Sequence, residues 1–189
     1  MDLSGTGVRQ LAGANAKLAQ IATMNPAYNP AAWSSFFSAQ VGASAALVGL
    51  LFVAISINLG QIIKMRQLVA RSAKGLFALA GVLLAATLCM TPGQPSRVLG
   101  CELTILGALV WLATTLAQRG ASRNNPYVKK TERILQAVLT QMSATPLVAG
   151  GVSLLIGFGG GLYWLVGSFI FSLSAALIDA WVLLIEIQR

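Results

Sequence analysis

Five stretches of the sequence, about 34 to 60, 74 to 90, 98 to 118, 135 to 157 and 162 to 187, are apolar enough to cross a bilayer as helices. A hydrocarbon core of about 30 Å takes roughly 20 helical residues, with about 17 to 25 usual. Within lipid every backbone N–H and C=O must be satisfied inside the segment, so the stretches are expected as α-helices. The chain reads as an all-α integral membrane helical bundle of about five transmembrane helices, residues 31–189, preceded by an N-terminal segment, residues 1–30. Composition agrees: 56% of the 189 residues are hydrophobic and 10% charged, against roughly 25% charged in soluble domains. The second stretch is short. The fourth carries Gln136, Gln141 and Pro146, which leaves open a continuous helix or a broken or re-entrant one buried by protein.

Basic residues set the orientation. Lys64, Arg66, Arg71 and Lys74 fall between the first two spans, and Arg119, Arg123, Lys129, Lys130 and Arg133 between the third and fourth. The turn TPGQPSR holds only Arg97 and the turn GFGGG holds no charge. Cytoplasmic loops carry the excess of lysine and arginine, so the N-terminus is expected outside and the C-terminus inside. Asn125 and Pro126 read as a helix cap and first-turn proline. The turns that follow, with Lys129, Lys130 and Arg133, join Lys64, Arg66 and Arg71 as expected contacts for anionic headgroups. Most of the 13 lysines and arginines behind the net charge of +8 fall in these two clusters, which argues for membrane anchoring and against nucleic acid as a partner.

The N-terminal segment has no basic region followed by an unbroken apolar core, so a cleavable signal peptide is not expected. Val8, Leu11, Ala14, Leu18 and Ile21 recur at helical spacing and predict an extracytoplasmic amphipathic helix ending near Asn25 and Pro26. No internal repeat or separate soluble domain is evident. The chain has no histidine and two cysteines, too few for a structural zinc site, so no cofactor or metal is expected.

Asp179 stands in the apolar run FSLSAALIDAWVLLIE. Ser168, Ser172, Ala175, Asp179, Val182 and Glu186 step by four and three, which places the acid on a small, polar stripe turned from lipid. A charge at mid-membrane costs roughly 2.5 to 3.5 kcal/mol on insertion scales, so it needs a partner, a proton or water. Matching depths across the spans predicts a cytoplasmic-side polar cluster of Asp179, Asn58, Gln141, Ser56 and, by snorkelling, Lys74. Two roles are open to it: interhelical glue, or an ion or proton site. An outer polar site is expected from Glu102, Gln40 and Arg97, either as a Glu102–Arg97 pair or as the mouth of a pathway.

In the first span Ser38, Gly42, Ala45, Gly49 and Ser56 form a small-residue face suited to close helix packing, against this chain or another subunit. Cys89 and Cys101 flank the outer turn at matched depth, which leaves open a hairpin disulfide or two free thiols.

The segment WSSFFSAQVGASAALVGLLFVAISINL, Trp33 to Leu59, followed by TPGQPSRVLGCEL, Thr91 to Leu103, resembles a family of small bacterial multispanning proteins. Their pattern is an aromatic-led first span ending in a GLLFVAISINL-like run, then a PGQ turn leading to G-x-E. It matches here at Gly49 to Leu59, Pro92 to Gln94, Gly100 and Glu102. The likeness covers about the first three spans and implies a bacterial inner-membrane location with no established activity.

The function expected from these features is non-enzymatic. An accessory or structural subunit would pack against itself or a larger membrane complex. The alternative is a small homo-oligomeric ion or proton channel or transporter, with Glu102 and Asp179 along its path.

Overall fold

The computed structural model describes residues 25–64, 66–122 and 130–186, together with Gly13. The predicted amphipathic helix, Arg123 and Lys129 lie outside the described residues, as do the side chains of Arg66, Lys130, Arg133, Gln136, Val182 and Glu186. Five long helices follow in order: α1 Ser34–Ile57, α2 Arg66–Cys89, α3 Ser96–Ser122, α4 Lys130–Ile156 and α5 Tyr163–Glu186. Five stretches are long and apolar enough to span a membrane: Pro30–Ile57, which takes in α1 and the single turn before it, and Leu68–Cys89, Ser96–Arg119, Ala137–Ile156 and Tyr163–Trp181 within α2 to α5. The protein is a multi-pass membrane helical bundle.

The second span differs from the sequence expectation, and the fourth takes one of the courses the sequence left open. The second begins near Leu68 rather than 74, because α2 already runs from Arg66 and carries Arg71 and Lys74 as helical residues. Leu68, Ser72, Gly75, Leu79, Val82, Ala86 and Cys89, stepping by four and three, are all buried, so one inward face runs the length of the helix. The fourth is unbroken through Pro146. Beside the proline, hydroxyls bond back to the helix: Thr145 donates to the Gln141 carbonyl at 2.6 Å and Ser143 to that of Thr140 at 2.8 Å.

The chain alternates direction, so the bundle has two ends. The basic end holds Lys64 and Arg119; the far end holds the turns at 90–95 and 157–162. α2 packs against α1, α3 and α5, while α4 joins α3 to α5. Towards the far end Phe37, Val82, Leu103, Leu147, Leu165 and Phe169 form one core; towards the basic end Leu51, Ile62, Leu68, Leu79 and Ala176 form a second.

The tightest seam is between α3 and α4. A Cβ on Gly100 would press on the Gly151 carbonyl and the Leu155 nitrogen, one on Gly107 would press on Val148, and one on Gly151 would press on Thr104. Since lipid provides no hydrophobic drive for helices to associate, such backbone proximity supplies much of the attraction.

A strap closes the far end. Two single-turn helices, Pro26–Tyr28 and Pro30–Trp33, start at Asn25 and Asn29, whose side chains accept from the amides of Ala27 at 3.0 Å and Ala31 at 3.1 Å. The Ala27 carbonyl accepts from the Leu162 amide at 2.8 Å, and Ser96 donates to the Tyr28 carbonyl at 3.3 Å. This docking requires Gly161, whose φ is 51° and whose Cβ would collide with the Ala27 carbonyl. Trp33 packs edge-on against Tyr163 at 4.9 Å between ring centres.

Alanine at Gly151 and at Gly167 should act with opposite sign. Gly151→Ala overpacks the α3–α4 seam and is expected to destabilise by about 1–3 kcal/mol. Gly167→Ala meets open space and should stabilise by about 0.5–1 kcal/mol through helix propensity. Denaturant unfolding of the purified protein in mild detergent measures both.

Candidate functional site

Arg71 and Lys74 lie three residues apart on α2, one helical turn, and so share a face. That face meets α5 where Asp179 projects inward. The Arg71 Nε donates to Asp179 Oδ1 at 3.0 Å. The Lys74 Nζ lies 2.9 Å from Oδ2, a contact close enough for ion pairing although Oδ2 accepts no directed hydrogen bond. Asp179 therefore sits between two cations, its side chain 4% exposed against 12% for Lys74 and 23% for Arg71. The cations reach it along their own methylene stems from the basic end.

Small residues allow the approach. Gly75 follows Lys74, and a Cβ there would touch Leu51 at 3.2 Å and stand 4.0 Å from the Asp179 Cβ. Thr114 of α3, Thr140 and Ser143 of α4, and Ala175 and Ala176 of α5 complete the surroundings of a void of about 10 Å³ beside Lys74 and Asp179. That volume is the size of a single water. Thr114 and Ser143 donate to their own helices, to Val110 at 2.7 Å and Thr140 at 2.8 Å. Ser168 donates across to the Ser143 carbonyl at 2.5 Å, tying α5 to α4.

Of the predicted partners, only Lys74 meets Asp179. Asn58 caps its own helix, donating to the Ala54 carbonyl at 3.0 Å. Ser56 is exposed and donates to the Phe52 carbonyl at 2.8 Å. Gln141 accepts from the Trp111 indole at 2.6 Å on the outer side of α3 and α4. The reason is angular: on α4 the inward positions are Thr140, Ser143, Ala144 and Leu147, and Gln141 is rotated one residue off them. Equal depth along the spans does not bring side chains together unless they also point the same way around the helix axes. Arg71, expected at the headgroups, was the missing partner. The buried stripe of α2, extended back through Leu68 and Ser72, would have placed it inside the helix.

The outer polar site also differs. Glu102 accepts from the Gln94 amide at 2.6 Å rather than pairing with Arg97. Arg97 is exposed and joins no ion pair among the described residues. The Oε1 atoms of Gln40 and Gln94 are buried without a hydrogen-bond partner. Cys89 and Cys101 are free. Cys89 belongs to the far-end core, whereas Cys101 points out beside the inward Gly100 and Leu103, so the two thiols face apart despite their similar depth.

The two small-residue stripes separate. Ser168, Ser172 and Ala175 of α5 are buried in the bundle. Ser38, Gly42, Ala45 and Gly49 of α1 are exposed, and a Cβ on Gly42 or Gly49 would meet nothing within 4 Å. The α1 face is therefore not used for packing among the described residues.

A second concavity lies on the outer surface. It has a volume of about 770 Å³ and is lined chiefly by Ala108 and Trp111 of α3, Val148, Val152 and Ile156 of α4, and Trp164. Among the described residues no three histidine, cysteine, aspartate or glutamate side chains converge as metal ligands. Comparison with protein-family models, curated proteins and solved structures finds no match.

The charged layer makes an ordered set of substitutions informative. Asp179→Asn leaves two cations facing each other without their counter-charge and should cost about 3–5 kcal/mol. Lys74→Met should cost less, and Arg71→Met least, because Arg71 is the most exposed member. Unfolding free energies in detergent, read as that rank order, check the assignment.

Proposed function

We propose that this chain is a non-enzymatic accessory or structural subunit of the bacterial inner membrane, which packs through the α1 face against a copy of itself or a larger membrane complex. The observation carrying this reading is the outward row of Ser38, Gly42, Ala45 and Gly49, with open space over both glycines. Against lipid alone such residues give up side-chain contact and gain nothing. Against another helix they permit close backbone approach, the main source of attraction inside a bilayer.

The basic residues between α1 and α2 and between α3 and α4 support a cytoplasmic basic end, with the strap and Arg97 outside. The charged layer fits a structural role: Asp179 has two neutralising partners, and the void beside it has room for one water. The channel reading would run a path from Glu102 to Asp179, and it draws no such support. Leu79, Val82, Leu103, Leu147, Leu165 and Phe169 are buried in the apolar interior of the bundle, so conduction would need a route between subunits.

The test is a pair of substitutions on the free face. Gly42→Ile with Gly49→Ile should abolish co-purification of unlike subunits, or reduce the native-mass oligomer to monomer, while circular dichroism shows the helix content of the purified chain unchanged. An assembly that persists with both isoleucines in place contradicts the proposal.

A further inference from the structure

We infer that the groove on the outer side of α3 and α4 binds one acyl chain of an anionic phospholipid, whose headgroup is met by Arg97. The groove follows α4 from Gln141 to Ile156 and ends at Phe158, Gly159 and Trp164 of the far turn. Fifteen residues of helix make it about 22 Å long, enough to take a chain from the interface past the middle of a 30 Å core. It lies on the outer surface of two helices long and apolar enough to span a membrane, where acyl chains rather than water would surround it. Its walls are apolar, and its polar groups bond to one another or to backbone: the Trp111 indole to Gln141 at 2.6 Å, and the Trp164 indole to the Gly159 carbonyl at 2.7 Å. The lining therefore asks for hydrocarbon.

Arg97 supplies the polar end. Ala108 and Trp111 of α3 line the groove, and Arg97 lies beyond that lining on the same face of the helix, reached through Thr104 and Cys101 at steps of four and three. It lies in the first turn of α3, at the level where headgroups sit, exposed and joined to no acid among the described residues. Glu102, the nearest acid in sequence, is engaged by Gln94. A phosphate with a net negative headgroup complements this cation, and the chain below it fits the groove. The inference needs only that the helices cross a bilayer and is independent of the α1 interface.

Lipid quenching of tryptophan fluorescence provides the test. Trp33→Phe with Trp181→Phe leaves Trp111 and Trp164, both in the groove lining, as the remaining emitters. The full chain carrying these changes is reconstituted into mixed phosphatidylcholine and phosphatidylglycerol vesicles, in which either lipid carries acyl-chain bromine at the same mole fraction. Brominated phosphatidylglycerol is expected to occupy the site on the order of fivefold better, the Boltzmann factor of one arginine at an anionic headgroup. Arg97→Ala should remove that preference and Arg97→Lys should keep most of it. Ala108→Leu with Ala149→Leu, which fills the groove, should lower quenching by both lipids. Equal quenching by the two lipids, or a preference that survives Arg97→Ala, overturns the inference. Quenching that disappears as the protein-to-lipid ratio rises would assign the groove to a second copy of the chain and overturns it as well.

Discussion

A carboxylate inside a membrane bundle constrains everything within reach of it. Lipid cannot solvate Asp179, and the apolar side chains of α5 cannot neutralise it, so cations must be brought to it. Arg71 and Lys74 do this from a neighbouring helix at 3.0 and 2.9 Å. Three structural consequences follow. α2 must begin early enough to carry both cations as helical residues. Its face there must be small, which Gly75 provides. The start of α2 and the end of α5 must also sit at the same height, which fixes the register between them. The ion pairs need not add much net stability to do this, since desolvation offsets a large part of their attraction; removing a single partner is what costs heavily.

The remaining contacts use different physics at different heights. The α3–α4 seam depends on Gly100, Gly107 and Gly151 bringing two backbones together. The far end depends on backbone hydrogen bonds through Gly161 and on aromatic packing around Trp33, Phe36, Phe37 and Phe169. Charge, close packing and a hydrogen-bonded strap thus act at separate levels of one bundle. α1 stands apart, leaning on α2 and less on α5 while its small-residue face points outward.

Helix number was legible in the sequence because the bilayer imposes a length that composition alone reveals. The inward stripe of α5 was legible as well: Ser168, Ser172, Ala175 and Asp179 repeat at helical spacing and all four are buried. The partners of Asp179 were less so. Arg71 and Lys74 carry the same charge as a topology signal, and residue type does not distinguish a cation at the headgroups from one reaching into a bundle. Gln141 failed for the complementary reason, since depth along a helix says nothing about direction around it. The glycine seam did carry a signal, Gly100, Thr104 and Gly107 at steps of four and three. The α1 row resembled a buried stripe because the same chemistry serves contacts inside a chain and between chains.

The central claim is that Asp179 is held between Lys74 and Arg71 within the membrane-spanning bundle. Solid-state NMR on proteoliposomes tests it directly, with carboxyl-labelled aspartate and side-chain nitrogen-labelled lysine and arginine. The chain has two aspartates, Asp2 and Asp179, so the carboxyl signals are few enough to assign by substitution. Dipolar dephasing of the Asp179 carboxyl carbon by both cation nitrogens, consistent with nitrogen-to-oxygen contacts of 2.9 and 3.0 Å, is the predicted result. An Asp179 signal that no lysine or arginine nitrogen dephases would contradict the account.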